Sequence, residues 1–212
     1  MTVNPRRRYH SPARSDQANA TRRLILASAA ACFAERSFSA VTVAEIAEQA
    51  GVSLATVYLY FPGKASIVTA MAEDIAQAPD LSVEQVERLH DPVSDLQVGA
   101  GIMRRLNERS WLVAEILRQA HGADPQLAEA LTTWRQRHLA AISRSVAVLT
   151  TQGSLRDGLT PEEAIDMLYA LAGIDVYRAL VRERGWSPER YEQWLFGIAC
   201  LELLGRMPQR ES

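Results

Sequence analysis

Cysteine, histidine and long apolar runs are scarce in this sequence, and each shortage excludes a class of protein. The two cysteines, Cys32 and Cys200, lie far apart and outside any C-x-x-C or C-x-x-H pattern, so we expect buried free thiols. The four histidines are isolated and offer no metal-ligand spacing. No stretch reaches the roughly eighteen apolar residues that a membrane span requires. The sequence therefore predicts a cytoplasmic protein without a disulfide framework, a metal or a membrane partner.

Short catalytic motifs are also missing. The sequence contains no G-x-G-x-x-G, G-x-S-x-G, P-loop or H-E-x-x-H pattern, so we expect neither an enzyme nor a cofactor. What it does contain is 48% hydrophobic and 23% charged residues, the composition of a globular protein of one or two domains. Beyond residue 72 the pattern is helical, without strand-like alternation.

Positive charge is concentrated near the amino end. Residues 1–65 carry eight basic and four acidic side chains, a balance of +4, so a net charge of −2 leaves −6 for the rest. Neutralising phosphates requires local cations, which favours a nucleic-acid-binding head on an acidic body. For Arg6 to Arg8 alone, a solvated basic tail is the alternative.

The amino-terminal segment has no periodicity before residue 18. We expect residues 1–17 to be a disordered basic arm and residues 18–36 to form the first helix. The stretch 21–34, "TRRLILASAAACFA", also resembles an export signal, with its twin arginine and apolar run. We favour a helix, because the motif that follows needs its support. The predicted core face of this helix is Leu24, Ala27, Ala31 and Ala34.

Two short helices joined by a tight turn are predicted next. Thr42 and Glu45 have the spacing of a capping box, and the helix they begin ends at Gly51. Ser53 caps a second helix, "LATVYLYF", which a Pro-Gly pair terminates. This arrangement is a helix-turn-helix unit.

The second of these helices has an outer face without an acidic residue: Leu54, Ala55, Tyr58 and Leu59, with Thr56 and Tyr60 at the flanks. A helix surface that meets only solvent normally carries charges of both signs, so this face indicates a binding partner. A protein partner is the alternative to nucleic acid.

Lys64, the only lysine in the chain, opens the next helix. A cation is slightly unfavourable there for helix stability, but it is well placed to bind a phosphate together with the free amides. Chance placement of an exposed lysine is the alternative.

The segment from Ala20 to Met71 resembles the DNA-binding domain of the TetR family of transcriptional regulators. The resemblance is carried by Thr42, the Ile-Ala of the first short helix, Ala-Gly-Val-Ser at 50–53, Thr56-x-Tyr58-x-Tyr60-Phe61 and Lys64. It implies an all-α fold with a three-helix DNA-binding domain at 18–65 and a helical ligand-binding and dimerisation domain at 66–212.

The resemblance also implies roles for single residues. The positions that typically contact the DNA backbone are Thr42, Ser53, Thr56, Tyr58 and Lys64, and those that often face base edges are Leu54, Ala55, Leu59 and Tyr60. Leu54 departs from many relatives, which have a polar or basic residue there. Since leucine makes no bidentate base contact, contact with thymine methyls or a smaller role is expected. Arg22, Arg23 and the basic arm could add phosphate or minor-groove contacts.

The rest of the chain is predicted to be helical, with prolines in first turns and glycines just past helix ends. The predicted segments are 64–77, 82–90, 92–109, 111–121, 124–152, 160–184 and 187–205.

The last helix is apolar around its whole circumference, so two of its sides must be buried. We expect one side to pack on its own core and the other on a second subunit, as the family resemblance also implies. A central helix in a monomer is the alternative. The predicted interface consists of Leu168, Ala172, Gly173, Val176, Trp194, Leu195, Ile198 and Leu201.

Trp134 and His138 lie one turn apart on an apolar stripe of the helix 124–152. They are the centre of a predicted cavity for a mostly apolar, partly aromatic ligand. His138 is the strongest candidate, because an imidazole on such a stripe needs a partner. An ordinary core is the alternative for every member of the set: Met103, Trp111, His121, Trp134, His138, Met167 and Tyr169.

Together these features predict a homodimeric repressor that binds a palindromic double-stranded DNA operator and is released by a small-molecule effector. The alternative is a helical DNA-binding or adaptor protein without an effector.

Overall fold

The structure is a computed structural model that describes residues 12–81 and 91–207, and all regular elements in these ranges are helical. No helix in this part of the chain could span a membrane. The helices are α1 (Pro12–Glu35), α2 (Val43–Gln49), α3 (Leu54–Tyr60), α4 (Lys64–Ala76), α5 (Pro92–Ala120), α6 (Pro125–Thr151), α7 (Pro161–Leu171), α8 (Ile174–Tyr177) and α9 (Pro188–Leu204), with a 3-10 turn at Pro79–Leu81 and a π-helical segment at Arg178–Glu183.

The chain divides into two compact units. The division falls within α4, between Ala70 and Met71, whereas the sequence placed it after residue 65. The predicted helix 82–90 and residues 1–11 of the predicted basic arm lie outside the described residues.

The first helix differs from its prediction at its start and in its buried face. It begins at Pro12 rather than near residue 18, and proline is compatible with a first helical turn. The predicted core face is wrong, because Leu24 is 48% exposed and the three alanines are exposed too. The face that is buried instead carries larger side chains, which removes more apolar area from water. It consists of Ile25, Leu26, Ala29, Cys32 and Phe33.

The helix-turn-helix unit forms as its capping signals predict. α1 packs on α2, and α2 packs on α3. Thr42 and Glu45 make the reciprocal bonds of a capping box, and Ser53 caps α3. Gly51 has a φ of 63°, in the left-handed region that glycine adopts without strain, and this allows the tight turn between the helices. The side chains buried in this unit include Ile46, Ala47, Ala50, Val57 and Phe61.

In the second unit, two helix boundaries differ from the sequence prediction. α5 is one helix of 29 residues where two were predicted, and Ser110 at the expected break is buried inside it. The predicted helix 160–184 instead breaks at Gly173, which has an extended backbone with ψ of 154°. α8 and the π-helical segment follow this break.

The core of the second unit lies around α5. α5 packs on α6 and α9, and α7 packs on α6 and α9. One buried cluster includes Leu96, Ile142, Leu149, Leu168 and Leu203. A second includes Ala100, Ala172, Tyr177, Tyr191 and Leu195.

Candidate nucleic-acid interface and ligand cavity

The outer face of α3 is exposed, as its sequence pattern predicts. Leu59 is 81% exposed, Tyr58 51% and Leu54 43%, while Val57 on the opposite side is fully buried. Ala55 is exposed, and the predicted flanking residues Thr56 and Tyr60 are half-buried. α3 therefore presents an apolar and aromatic surface without an acidic group.

The hydroxyl groups of Thr42 and Ser53 beside this surface form the N-caps of α2 and α3. Thr42 Oγ1 accepts from the Glu45 amide at 3.2 Å and donates to Glu45 Oε2 at 2.8 Å. Ser53 Oγ accepts from the Thr56 amide at 3.0 Å and lies 2.7 Å from Thr56 Oγ1. Because one of these two hydroxyls donates to the other, one O–H of the pair is left for an external acceptor such as a phosphate.

The Glu45 carboxylate, which completes the capping box with Thr42, is paired with Arg36. Arg36 Nη1 lies 2.7 Å from Glu45 Oε1, which ties the end of α1 to α2. The hydrogen bond from Arg36, supported by those from Thr42, lowers the pKa of Glu45 to about 2. The carboxylate is therefore ionised at neutral pH and paired within the domain.

Lys64 is not the free surface cation that its sequence position predicts. Its Nζ donates to the carbonyl oxygens of Phe38 and Val41, each at 2.6 Å, and lies 4.6 Å from the centre of the Phe38 ring. Burial lowers the pKa of Lys64, and the Glu45 carboxylate partly opposes this effect. Two of the three ammonium donors thus hold the turn between α1 and α2, and one is left for another partner.

The second unit contains a cavity of about 350 Å³. Five of the seven predicted ligand-binding residues line it: Trp111, His121, Trp134, His138 and Tyr169. The prediction is wrong for Met103, which lines a separate cavity of about 90 Å³. Met167 lines neither of these two cavities in the described part of the chain. Both methionines lie on helices that contribute other residues to the 350 Å³ cavity, but the sequence pattern does not show which side of each helix faces that cavity.

His138 has one ring nitrogen without a partner. Its Nε2 is buried and makes no hydrogen bond to any described residue. Its ring lies 5.2 Å from the ring of Tyr169. Burial lowers the pKa of His138, so the imidazole is neutral at pH 7.

Polar cavity residues were missed by the sequence analysis. Asn107 is buried and donates to the Ala172 carbonyl at 3.2 Å and to the Tyr191 hydroxyl at 3.3 Å. Arg118 pairs with Glu115 at 2.6 Å. Their i, i+3 spacing on a helix is the sequence signal that could have indicated this ion pair. The cavity therefore combines aromatic walls with paired polar groups.

Comparison with known proteins identifies the family to which the chain belongs. Residues 25–71 match the profile described as "Bacterial regulatory proteins, tetR family". YdeS of Bacillus subtilis (strain 168), named as an uncharacterized HTH-type transcriptional regulator, is 32% identical over 171 residues, which cover 76% of this chain and 79% of YdeS. The chain belongs to the TetR family. This TetR-family protein is thus a helix-turn-helix DNA-binding transcriptional regulator and not an enzyme.

Solved structures agree with the fold of this TetR-family regulator. SmeT, the repressor of the Stenotrophomonas maltophilia multidrug efflux pump SmeDEF, has a TM-score of 0.71 in its triclosan complex, at 22% identity over 91% of this chain and 99% of SmeT. NalD, the secondary repressor of the MexAB-OprM multidrug efflux pump in Pseudomonas aeruginosa, has a TM-score of 0.69 at 24% identity, covering 89% and 98%. The likeness extends through both units.

The predicted dimer residues of the TetR-family regulator fall into two groups. Leu168, Ala172 and Leu195 are buried by their own chain, so they are core residues within the protomer. Trp194 and Ile198 are half-buried, and Leu201 is 42% exposed on the same stripe of α9. Val176 is half-buried, and Gly173 begins α8 instead of allowing two helices to approach closely. The sequence pattern identified the apolar helices, but it did not show which sides of these helices are buried within the protomer.

Proposed function

We propose that this regulator is a repressor that binds a near-palindromic operator as a homodimer and is released when a small molecule occupies the 350 Å³ cavity. The observation that carries the proposal is the exposed, acid-free face of α3 in a chain that also contains such a cavity. SmeT and NalD, which have similar folds, are both named as repressors, and SmeT has been solved with triclosan.

α3 enters the major groove in this proposal. Leu54, Ala55 and Leu59 face base edges, where their apolar groups suit thymine methyls. Tyr60 is half-buried and contributes less to base contact. Donors to the DNA backbone come from the groups around this face. They are the one O–H that the Ser53 and Thr56 pair leaves available, the Tyr58 hydroxyl and the third N–H of Lys64. Thr42 becomes a further donor if its hydroxyl releases Glu45.

The dimer forms through the stripe of α9 that its own chain leaves partly exposed. Trp194, Ile198 and Leu201 follow the i, i+4, i+7 spacing of one helix side, and Val176 joins them. A symmetric pair of recognition helices reads half-sites about 34–36 Å apart, one turn of DNA, which makes the operator a near-palindrome.

Release requires that the effector bind the DNA-incompetent state better than the competent one. A full switch needs about 5.5 kcal/mol of differential binding, and a smaller difference gives partial release. α4 is the element that continues from one unit into the other, so a change in the cavity reaches α3 through it.

Selection of bound fragments from the source genome, followed by footprinting, tests DNA recognition. We expect one short near-palindrome to be protected by a dimer, with an affinity that falls steeply as salt rises. An adaptor would protect no DNA, and a nucleoid-type binder would protect no preferred sequence. Adding triclosan and other aromatic compounds to the complex then tests release. Compounds that bind the cavity but leave DNA affinity unchanged would contradict the effector part and spare the DNA-binding part.

A further inference from the structure

We propose that this protein binds an amphiphilic ligand, with a polar aromatic head in the 350 Å³ cavity and an unbranched alkyl tail in the cavity of about 90 Å³ beside it. We call these two spaces the head cavity and the tail cavity. The inference rests on the proposed function only in taking the head cavity to be a small-molecule site. It adds the shape of the ligand and the residue that the ligand passes.

The two cavities share a wall. The side chain of Leu106 on α5 lines both of them. Their linings also meet just after α7, where Ala172 lines the tail cavity and the next residue, Gly173, lines the head cavity. Leu106 is half-buried and has open space on both sides, so its side chain can change rotamer without displacing a packed neighbour. A rotation of Leu106 therefore joins the two cavities.

The tail cavity has hydrocarbon walls. Protein interiors are close-packed and leave few voids larger than a water molecule, and an apolar cavity that does remain stays dry and accepts apolar groups. The side chain of Met103, which lines the tail cavity, is flexible and can adapt to tails of different length. Buried residues of both core clusters form most of the remaining wall, among them Leu96, Ala100, Ile142, Leu168, Leu195 and Ala199.

The polar side chains of the tail cavity are engaged within the protein. Ser145 Oγ donates to the Ala141 carbonyl oxygen at 3.3 Å, and Asp95 Oδ2 accepts from Gln152 Nε2 at 3.0 Å. Asp95 Oδ1 is covered by protein atoms. A polar ligand group in this cavity would lose its hydrogen bonds to water without gaining a partner among these groups, which is unfavourable. The part of the ligand that enters the tail cavity is therefore hydrocarbon.

The head cavity has walls of a different chemistry. Trp111 and Trp134 contribute flat aromatic surfaces, on which an aromatic ring packs favourably. Glu115, Arg118 and Arg135 contribute charged groups to the same lining. An aromatic ring with a polar substituent matches the head cavity, whereas an alkyl chain matches the tail cavity. This difference between the walls orients the ligand.

The test compares two isomers, 4-n-pentylphenol and 4-tert-pentylphenol, by isothermal titration calorimetry on the full-length protein. The isomers have the same phenol head and the same number of carbon atoms, so a general preference for apolar compounds affects both. Only the linear chain is narrow enough to pass Leu106. We expect the linear isomer to bind on the order of tenfold more tightly, the effect of burying about two more methylene groups in the tail cavity.

Two alanines provide matched variants. Ala141 and Ala114 are both half-buried on helices, but Ala141 lines the tail cavity and Ala114 lines the head cavity. Ala141→Leu fills the tail cavity and should bring the ratio of the two affinities close to one by weakening the linear isomer. Ala114→Leu should weaken both isomers by a similar factor and keep the ratio. Leu106→Ala widens the passage and should strengthen the branched isomer more than the linear one.

Equal affinities of the wild-type protein for the two isomers would overturn the inference, whether or not the variants fold. So would a linear preference that persists in folded Ala141→Leu, or the absence of binding of both isomers at their solubility limits. Gel-shift measurements with the same compounds keep the proposed function separate. Equal affinities together with release of DNA would contradict this inference alone, whereas a linear preference without release would support it and contradict release by the ligand.

Discussion

Replacing Lys64 with methionine tests the structural role of the only lysine in the chain. Lys64→Met keeps most of the aliphatic stem and removes the ammonium group. The Phe38 and Val41 carbonyls lose donors that lie 2.6 Å away, and the Phe38 ring loses the cation 4.6 Å from its centre. We expect the turn between α1 and α2 to be the part of the molecule that this change weakens.

The expected loss follows from these contacts. Hydrogen bonds to a charged group contribute about 1.5–3 kcal/mol each, and burying the ammonium offsets part of that gain. We therefore expect the amino-terminal unit to lose about 2–4 kcal/mol of unfolding free energy. For a unit of this size, that loss corresponds to a melting temperature lower by on the order of 10 °C.

Differential scanning calorimetry measures the melting temperature, and amide hydrogen exchange at residues 38–42 locates the effect. Arg23→Met is the matched control, because it removes one exposed positive charge from the same unit and should cost less than about 0.5 kcal/mol. Equal melting temperatures for the two variants, with unchanged exchange near Phe38, would refute the argued role of Lys64.

The salt dependence of DNA binding by Lys64→Met separates structure from DNA contact. If the third donor of Lys64 binds a phosphate, Lys64→Met should reduce the salt slope of DNA binding by about one unit and weaken all sequences alike. If Lys64 acts only through the turn, affinity should fall while the slope stays the same. A change in sequence preference would contradict both roles.

Three further predictions concern other parts of the structure. Ala55→Gln should change the preferred operator by about 1–3 kcal/mol at one base pair without changing the salt slope, as measured by operator selection. Arg36 lowers the pKa of Glu45 from 4.5 to about 2, so the melting-temperature gap between wild type and Glu45→Gln should be full above pH 4.5 and shrink as pH falls towards 2. Asn107→Ala leaves the Ala172 carbonyl without its donor and should cost about 2–4 kcal/mol in urea denaturation; a cost below about 0.5 kcal/mol would show that this carbonyl is satisfied otherwise.

The helix ends could be predicted from the sequence because their signals are local. Thr42 and Glu45 satisfy each other three residues apart, and Gly51 is the residue type that tolerates the left-handed turn it occupies. The exposed face of α3 was predictable for a similar reason, since a helix of seven residues with Val57 inward leaves only one outer side. The resemblance to the TetR family, confirmed by comparison, also depends on this contiguous segment.

Helical spacing by itself did not identify the buried faces. On α1, both Leu24 with three alanines and Ile25 with Phe33 follow helical spacing, and the buried set is the one with the larger apolar side chains. Ser110 was expected to interrupt a helix and lies buried within α5, whereas Gly173 was expected inside a helix and interrupts one.

Residues within about four positions of one another therefore determined where the helices begin and end and which surface α3 presents, because capping and turn chemistry acts over that range. The tertiary structure alone decided the rest. Lys64 bonds to carbonyls 26 and 23 residues away, and His138 shares a cavity with Tyr169 from a different helix. Such contacts depend on how helices pack, and packing is set by the shapes and volumes of side chains that are distant in the sequence.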